Sequence, residues 1–99
     1  MKPFRWNPQK NDRLKAERGI SFEEIVLAVE EGGIRDILVH PNQQRYRGQV
    51  VLVVVWRSHV YLVPSVEADA HYFLKTIIPS RKATRDYLGG KDSDDEAGS

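Results

Sequence analysis

The residues best suited to chemistry lie near the end of the chain, between His71 and Arg85. His71 and Lys75 fall on one predicted strand, His71 to Ile78, and Arg81, Lys82 and Arg85 fall on the helix expected after it. Alternate residues of a strand share a face, so His71, Phe73, Lys75 and Ile77 belong to one side. Tyr72, Leu74, Thr76 and Ile78 belong to the other, which reads as core. At about 3.3 Å per residue, His71 and Lys75 stand roughly 13 Å apart, too far for a single proton relay. Lys75 suits a phosphate clamp instead, beside Arg81 and Arg85, which are i,i+4 neighbours on the helix. Helix N-terminal amides near Ser80 would add to such an anion site. The competing reading is a solvated basic helix and an ordinary surface histidine, and residue types alone leave both open.

Two further sets of residues qualify. Lys10 and Arg13 are three apart on a predicted first helix and share a face, with Arg18 farther along. His40 precedes a polar loop that also carries Arg45, Tyr46 and Arg47, cations and a ring of the kind that grip and stack on RNA. His59 reads as an exposed turn residue. The three histidines lack a helical metal-ligand spacing, and acidic residues cluster only in the tail, so no metal is expected. With no cysteine, a thiolate site or thiol nucleophile is excluded. No Gly-rich phosphate loop or serine-nucleophile motif occurs, and no cofactor is expected.

These residues must be positioned by one domain, because 99 residues can bury one modest core. Apolar residues at 40% and charged residues at 29% are ordinary for a soluble globular chain, and the absence of cysteine fits a reducing compartment. The longest aliphatic run, Val50 to Trp56, is far short of the roughly 20 residues of a spanning helix. The chain therefore reads as cytoplasmic, with no membrane association. The formal net charge of +1 divides unevenly: Met1–Gly90 carries +4, with 14 basic and 10 acidic residues, and Lys91–Ser99 carries −3. A domain over 1–90 and an acidic, disordered tail over 91–99 are expected.

The periodicity predicts the elements. Lys2 to Trp6 alternates as a first strand. Asn7-Pro8 opens a polar helix that runs to Arg18 and stops at Gly19. Ser21-Phe22-Glu23-Glu24 has the form of a capping box, followed by Phe22, Ile25, Val26 and Val29 at helical spacing. Strands follow at Ile34 to Val39, Val50 to Trp56, Val60 to Val66 and His71 to Ile78, with a tight turn at Arg57-Ser58-His59. Pro64 marks an edge or a bulge. Ser80 caps a last helix, Arg81 to Leu88. Trp6, Phe22 and Trp56 read as core. The fold class is α+β, in the order β-α-α-β-β-β-β-α, with an antiparallel sheet covered on one face by helices.

Two segments resemble a known family. FRWNPQKNDRLKAERGISFEEI (Phe4 to Ile25) is similar to the opening of BrnT-type toxins, in which an aromatic strand ends in Trp-Asp/Asn-Pro and a second helix begins at Ser-Phe-Glu-Glu. FLKTIIPSRKATRDYL (Phe73 to Leu88) resembles their close, a strand leading into Ser/Ala-Arg-Lys/Arg-Ala-Thr. Asn7 stands where common members carry Asp, and Arg18 where many carry His. The resemblance implies a RelE-like ribonuclease fold and the toxin half of a type II toxin–antitoxin pair. It implies mRNA cleavage that inhibits translation, and neutralisation by a ribbon-helix-helix antitoxin. Operator DNA would be contacted only through the toxin–antitoxin complex. Metal-independent cleavage needs proton transfer and cations around the phosphate. On this footing Lys75, Arg81 and His71 are the catalytic candidates, and Lys10, Arg13, Lys82 and Arg85 the RNA-binding ones. A non-catalytic adaptor of the same fold, direct nucleic-acid binding without cleavage, and a homo-oligomer all remain open on sequence grounds.

Overall fold

Asn7 starts the first helix as its sequence predicts. Its Oδ1 accepts from Gln9 N–H and Lys10 N–H at 2.8 and 3.1 Å, satisfying amides that have no partner within the helix. The computed structural model describes residues 1–89. In chain order its elements are β1 (Phe4–Trp6), α1 (Pro8–Arg18), α2 (Phe22–Glu30), β2 (Ile34–Val39), β3 (Gln49–Trp56), β4 (His59–Glu67), β5 (Tyr72–Leu74), β6 (Ile78–Pro79) and α3 (Arg81–Tyr87). The acidic stretch 91–99 lies outside the described residues.

Gly19 ends α1 with φ +66°, a conformation open to a residue without Cβ, and its N–H donates to Lys15 O. The capping box at Ser21 and Glu24 forms as the motif predicts. Asn11, a polar residue within the polar helix, is only 4% exposed. Its Oδ1 accepts from Phe22 N–H at 2.8 Å, and its amide donates to Glu23 Oε1 at 2.7 Å. One side chain thus fixes the start of α2 against α1.

The sheet runs β1-β5-β4-β3-β2, with β6 pairing β4 beyond the end of β5. It is mixed rather than antiparallel throughout, because β1 pairs β5 in parallel, Phe4 with Tyr72 and Trp6 with Leu74. Short turns enforce antiparallel pairing only between consecutive strands. β1 is separated from β5 by most of the chain, and the helical hairpin carries the polypeptide from β1 at one edge to β2 at the other. Arg57 and Ser58, both at positive φ (+51° and +66°), form the tight turn between β3 and β4.

The expected single strand from His71 to Ile78 is broken in two. Leu74 pairs with Ser65 and Ile78 with Leu62, so one extra residue is accommodated opposite β4, a bulge. The cause is Pro64. Lys75 N–H donates to Pro64 O at 2.9 Å, but Pro64 has no N–H to return, and the ladder stops there. The bulge inverts the facing of the residues after it. Ile77 is fully buried and Ile78 is 41% exposed, the reverse of the strict alternation.

The two faces of the sheet are covered differently. On the first, α1 and α2 pack Leu14, Phe22, Ile25 and Ala28 against Val50, Leu52, Val54, Val63 and Leu74. Trp6 stacks on Phe22 with ring centroids 5.6 Å apart. On the second, α3 packs Ala83 against Val53 and Val60, with Val55, Leu62 and Leu88 around them. The helices therefore lie on both faces, not on one. The reason is backbone satisfaction at Val60: its O accepts from Ser80 N–H at 3.1 Å, and its N–H donates to Thr84 Oγ1 at 2.9 Å. These bonds hold α3 to β4 and send it across the second face. At the far side Tyr87 Oη donates to Asp36 Oδ2 on β2 at 3.3 Å.

β2 is an edge strand. His40 N–H donates to Gln49 O, so by alternation the N–H of Ile37 points out of the sheet. The Asp36 carboxylate accepts that N–H at 2.8 Å, and a register shift between Ile34 and Asp36 interrupts the ladder.

Candidate nucleic-acid interface

The footprint of α3 ends at Val53 and Leu62. The next residues on the same face, Val51 and Pro64, come about 7 Å farther along their strands. With Leu38 of β2 they wall a groove of about 280 Å³, to which Lys75 and His40 also contribute. Among the described residues no carboxylate lines it. Lys75 emerges from the bulge, its backbone fixed by Pro64 O. Its ammonium is exposed and has no carboxylate or hydrogen-bond partner among the described residues.

His40 is held from several sides. Its ring packs on Tyr46 with centroids 4.3 Å apart, and the Arg45 guanidinium lies 5.7 Å from the centre of the same Tyr46 ring. His40 Nδ1 accepts from Asn42 N–H at 3.0 Å. Gln43 donates to His40 O and Gln49 O, and its Oε1 accepts from Gly48 N–H. Gly48 is required where it stands: φ is +75°, and a Cβ would lie 2.6 Å from Glu67 O. Reading Arg45-Tyr46-Arg47 as three residues free for RNA therefore needs adjustment. The Tyr46 ring already packs against His40, and Arg47 alone of the three has no such contact among the described residues.

The other expected site residues fall elsewhere. At about 100° per residue, the buried Ala83 and the bonded Thr84 define the inner side of α3. Arg85 comes out on the far side and Arg81 on the flank, about 60° from Thr84; both are exposed and neither lines the groove. Asp86 partly neutralises this helix, lying 3.2 Å from Lys82 and 3.9 Å from Arg85. The Ala83 amide of α3 is taken by Ser80 Oγ at 3.0 Å. Burial, and then the charge of Asp36, raise the Tyr87 hydroxyl above its ordinary 10.0, which keeps it a proton donor to that carboxylate.

His71 sits just before β5, where its O accepts from Ala68 N–H, and it is not among the groove residues. Lys10 and Arg13 lie on α1, across the sheet from Lys75. Arg18 is drawn to the bulge, donating from Nη1 to Ile77 O at 2.6 Å. His40, which the sequence groups with the Arg45–Arg47 loop, instead lines the groove with Lys75. Its signal is indirect: the tight turn at Arg57-Ser58 fixes Val51 opposite Pro64, and Pro64 draws Lys75 to the same place. His40 joins them only through the β2–β3 register, which includes the shift near Arg35.

Among the described residues, no group of three His, Asp or Glu side chains could hold a metal ion. No helix among them is long and apolar enough to cross a membrane. No family model matches the chain, and no curated protein or solved structure matches it either.

Proposed function

We propose that the chain is a cytoplasmic endoribonuclease toxin of the BrnT type, restrained by a ribbon-helix-helix antitoxin. The observation that carries this reading is the groove on the second face of the sheet, which no carboxylate lines among the described residues and where Lys75 offers an ammonium unpaired among those residues, between apolar walls. A phosphodiester is the anion best matched to it, and the BrnT-like segments at both ends of the domain raise RNA above other polyanions. Cleavage without a metal forms a bond from the ribose 2′-oxygen to phosphorus and breaks the bond from phosphorus to the 5′-oxygen. The products are a 2′,3′-cyclic phosphate and a 5′-hydroxyl. Lys75 stabilises the charge that gathers on the non-bridging oxygens. Arg81 and Arg85, both exposed on α3, take flanking phosphates of a longer strand, with Lys82 beside them. Proton handling by His71 would have to occur outside the groove. Lys10 and Arg13, on the opposite layer, suit the antitoxin better than the same stretch of RNA.

The test is expression of the wild type alone in bacteria, beside a Lys75→Ala/Arg81→Ala/Arg85→Ala variant. Growth arrest and RNA decay are expected from the wild type, relieved in the variant and by co-expression of a ribbon-helix-helix protein from the neighbouring reading frame. If the wild type neither slows growth nor alters RNA, the reading fails. The uncovered apolar walls Leu38, Val51 and Pro64 favour a second reading, a non-catalytic adaptor. That reading predicts antitoxin binding with RNA left intact.

A further inference from the structure

His40 is the groove's histidine, and we propose that it is a fixed hydrogen-bond donor to the phosphate that Lys75 grips, not a proton shuttle. The proposal rests on the nuclease reading above and names the partner of Lys75 within that site.

His40 Nδ1 faces the backbone N–H of Asn42. A backbone N–H has only a proton to offer, so His40 Nδ1, 3.0 Å away, must be the acceptor. The neutral ring then carries its proton on Nε2, which is left as a donor. A general base acting through Nε2 would need the other tautomer, which would set two N–H groups against each other at Nδ1. The ring is also kept from turning by its packing on Tyr46, and its backbone by Gln43. His40 therefore brings a directional, pre-set donor, and Lys75 a charge on a flexible stem.

The groove is suited to a phosphodiester. Its volume of about 280 Å³ falls just short of the roughly 300 Å³ at which ligand sites begin, which suits a small group such as a phosphodiester better than a folded partner. Among the described residues lining it no carboxylate opposes an anion, and apolar walls strengthen both polar contacts. As the 2′-oxygen bonds to phosphorus and the bond to the 5′-oxygen breaks, charge grows on the non-bridging oxygens. His40 Nε2–H and the Lys75 ammonium donate to those oxygens and keep their protons. The 2′-hydroxyl proton leaves to solvent water, and the 5′-oxygen takes one from solvent water.

The experiment uses the full chain and a short single-stranded RNA with one cleavable position, beside the same RNA carrying a 2′-O-methyl group there. His40→Phe keeps the packing on Tyr46 but has no donor. His40→Gln places an amide N–H near the position of Nε2. Loss of one such donor is expected to lower kcat about 100-fold in His40→Phe, with little change in KM. His40→Gln is expected to recover most of that loss and to keep the wild-type pH profile.

Equal loss in His40→Gln and His40→Phe, with a limb of the pH profile gone, would make His40 a shuttle and overturn the proposal. Wild-type rates in His40→Phe would remove it from the site, while a dead Lys75→Ala variant would leave the nuclease reading standing. If the wild type cleaves nothing, that reading falls and the methylated RNA judges the subsite. Equal affinity of wild type, His40→Phe and Lys75→Ala then overturns it, and weaker binding by both variants supports it.

Discussion

The two faces of the sheet are made of similar residues and used differently. β3 offers Val50, Leu52 and Val54 to one side and Val51, Val53 and Val55 to the other. The first set is sealed under a two-helix layer that brings Phe22, Ile25 and Leu14. The second meets a single seven-residue helix, which covers Val53 and Val55 and leaves Val51 beside the groove. β-branched strand residues therefore do not say how a face is used; the covering element does. Burying a large apolar side chain contributes about 1.5–3 kcal/mol, so most of the stability should reside on the α1–α2 side. The other side is left open enough for an anion to approach.

That asymmetry can be broken by mutation. The largest effect is expected from Phe22→Ala, which should lower unfolding stability by about 3–5 kcal/mol in urea titrations. Leu88→Ala, at the half-buried end of α3, should cost about 1 kcal/mol. Equal losses would abolish the distinction between the faces.

Next comes Asn11→Ala, expected to cost about 1–3 kcal/mol because it strands the buried Phe22 N–H. It also carries a pH signature. The hydrogen bond from Asn11, with the charge of Lys15 adding to it, holds the Glu23 carboxyl below its ordinary 4.5. A carboxyl depressed by folding contributes stability that is present above 4.5 and lost as pH falls through its lower folded value. Thermal melts of Asn11→Ala should therefore lose less stability than the wild type over that acid range.

A smaller gain is expected at the Arg57-Ser58 turn. Both residues hold positive φ, which favours Asn-Gly, and the double change Arg57→Asn/Ser58→Gly should add about 1 kcal/mol to stability. Lys75→Ala should shift stability by no more than about 0.5 kcal/mol while removing RNA cleavage in the growth and decay assays, which would separate the working face from the structural one.

Local signals carried far in this chain. Asn7, Gly19, the Ser21–Glu24 box and Ser80 each name a helix boundary because the chemistry of a helix end is confined to a few adjacent residues. β2 was legible to the residue. What local patterns miss are pairings between distant segments. The parallel pairing of β1 with β5 leaves no periodic trace, and neither does the role of Asn11, which depends on α2 folding back. Pro64 was visible as a disturbance, but its effect falls on another strand, where it turns Ile77 inward and Ile78 outward. The site was legible in the same uneven way. Lys75 stood out by type and spacing. Arg81 and Arg85 were paired correctly with each other, yet the turn of α3 points them to solvent rather than to the groove. His40 needed the register of β2 against β3.

The Asp36 carboxylate has a bearing on how this molecule keeps company. An open rim normally invites a foreign strand to zip on, the first step of runaway self-association. Here the outward amide of Ile37 is already engaged by Asp36, and the irregularity at Arg35 spoils the template a newcomer would copy. Encounters with other macromolecules are thereby steered away from lengthening the sheet and towards its half-open broad side.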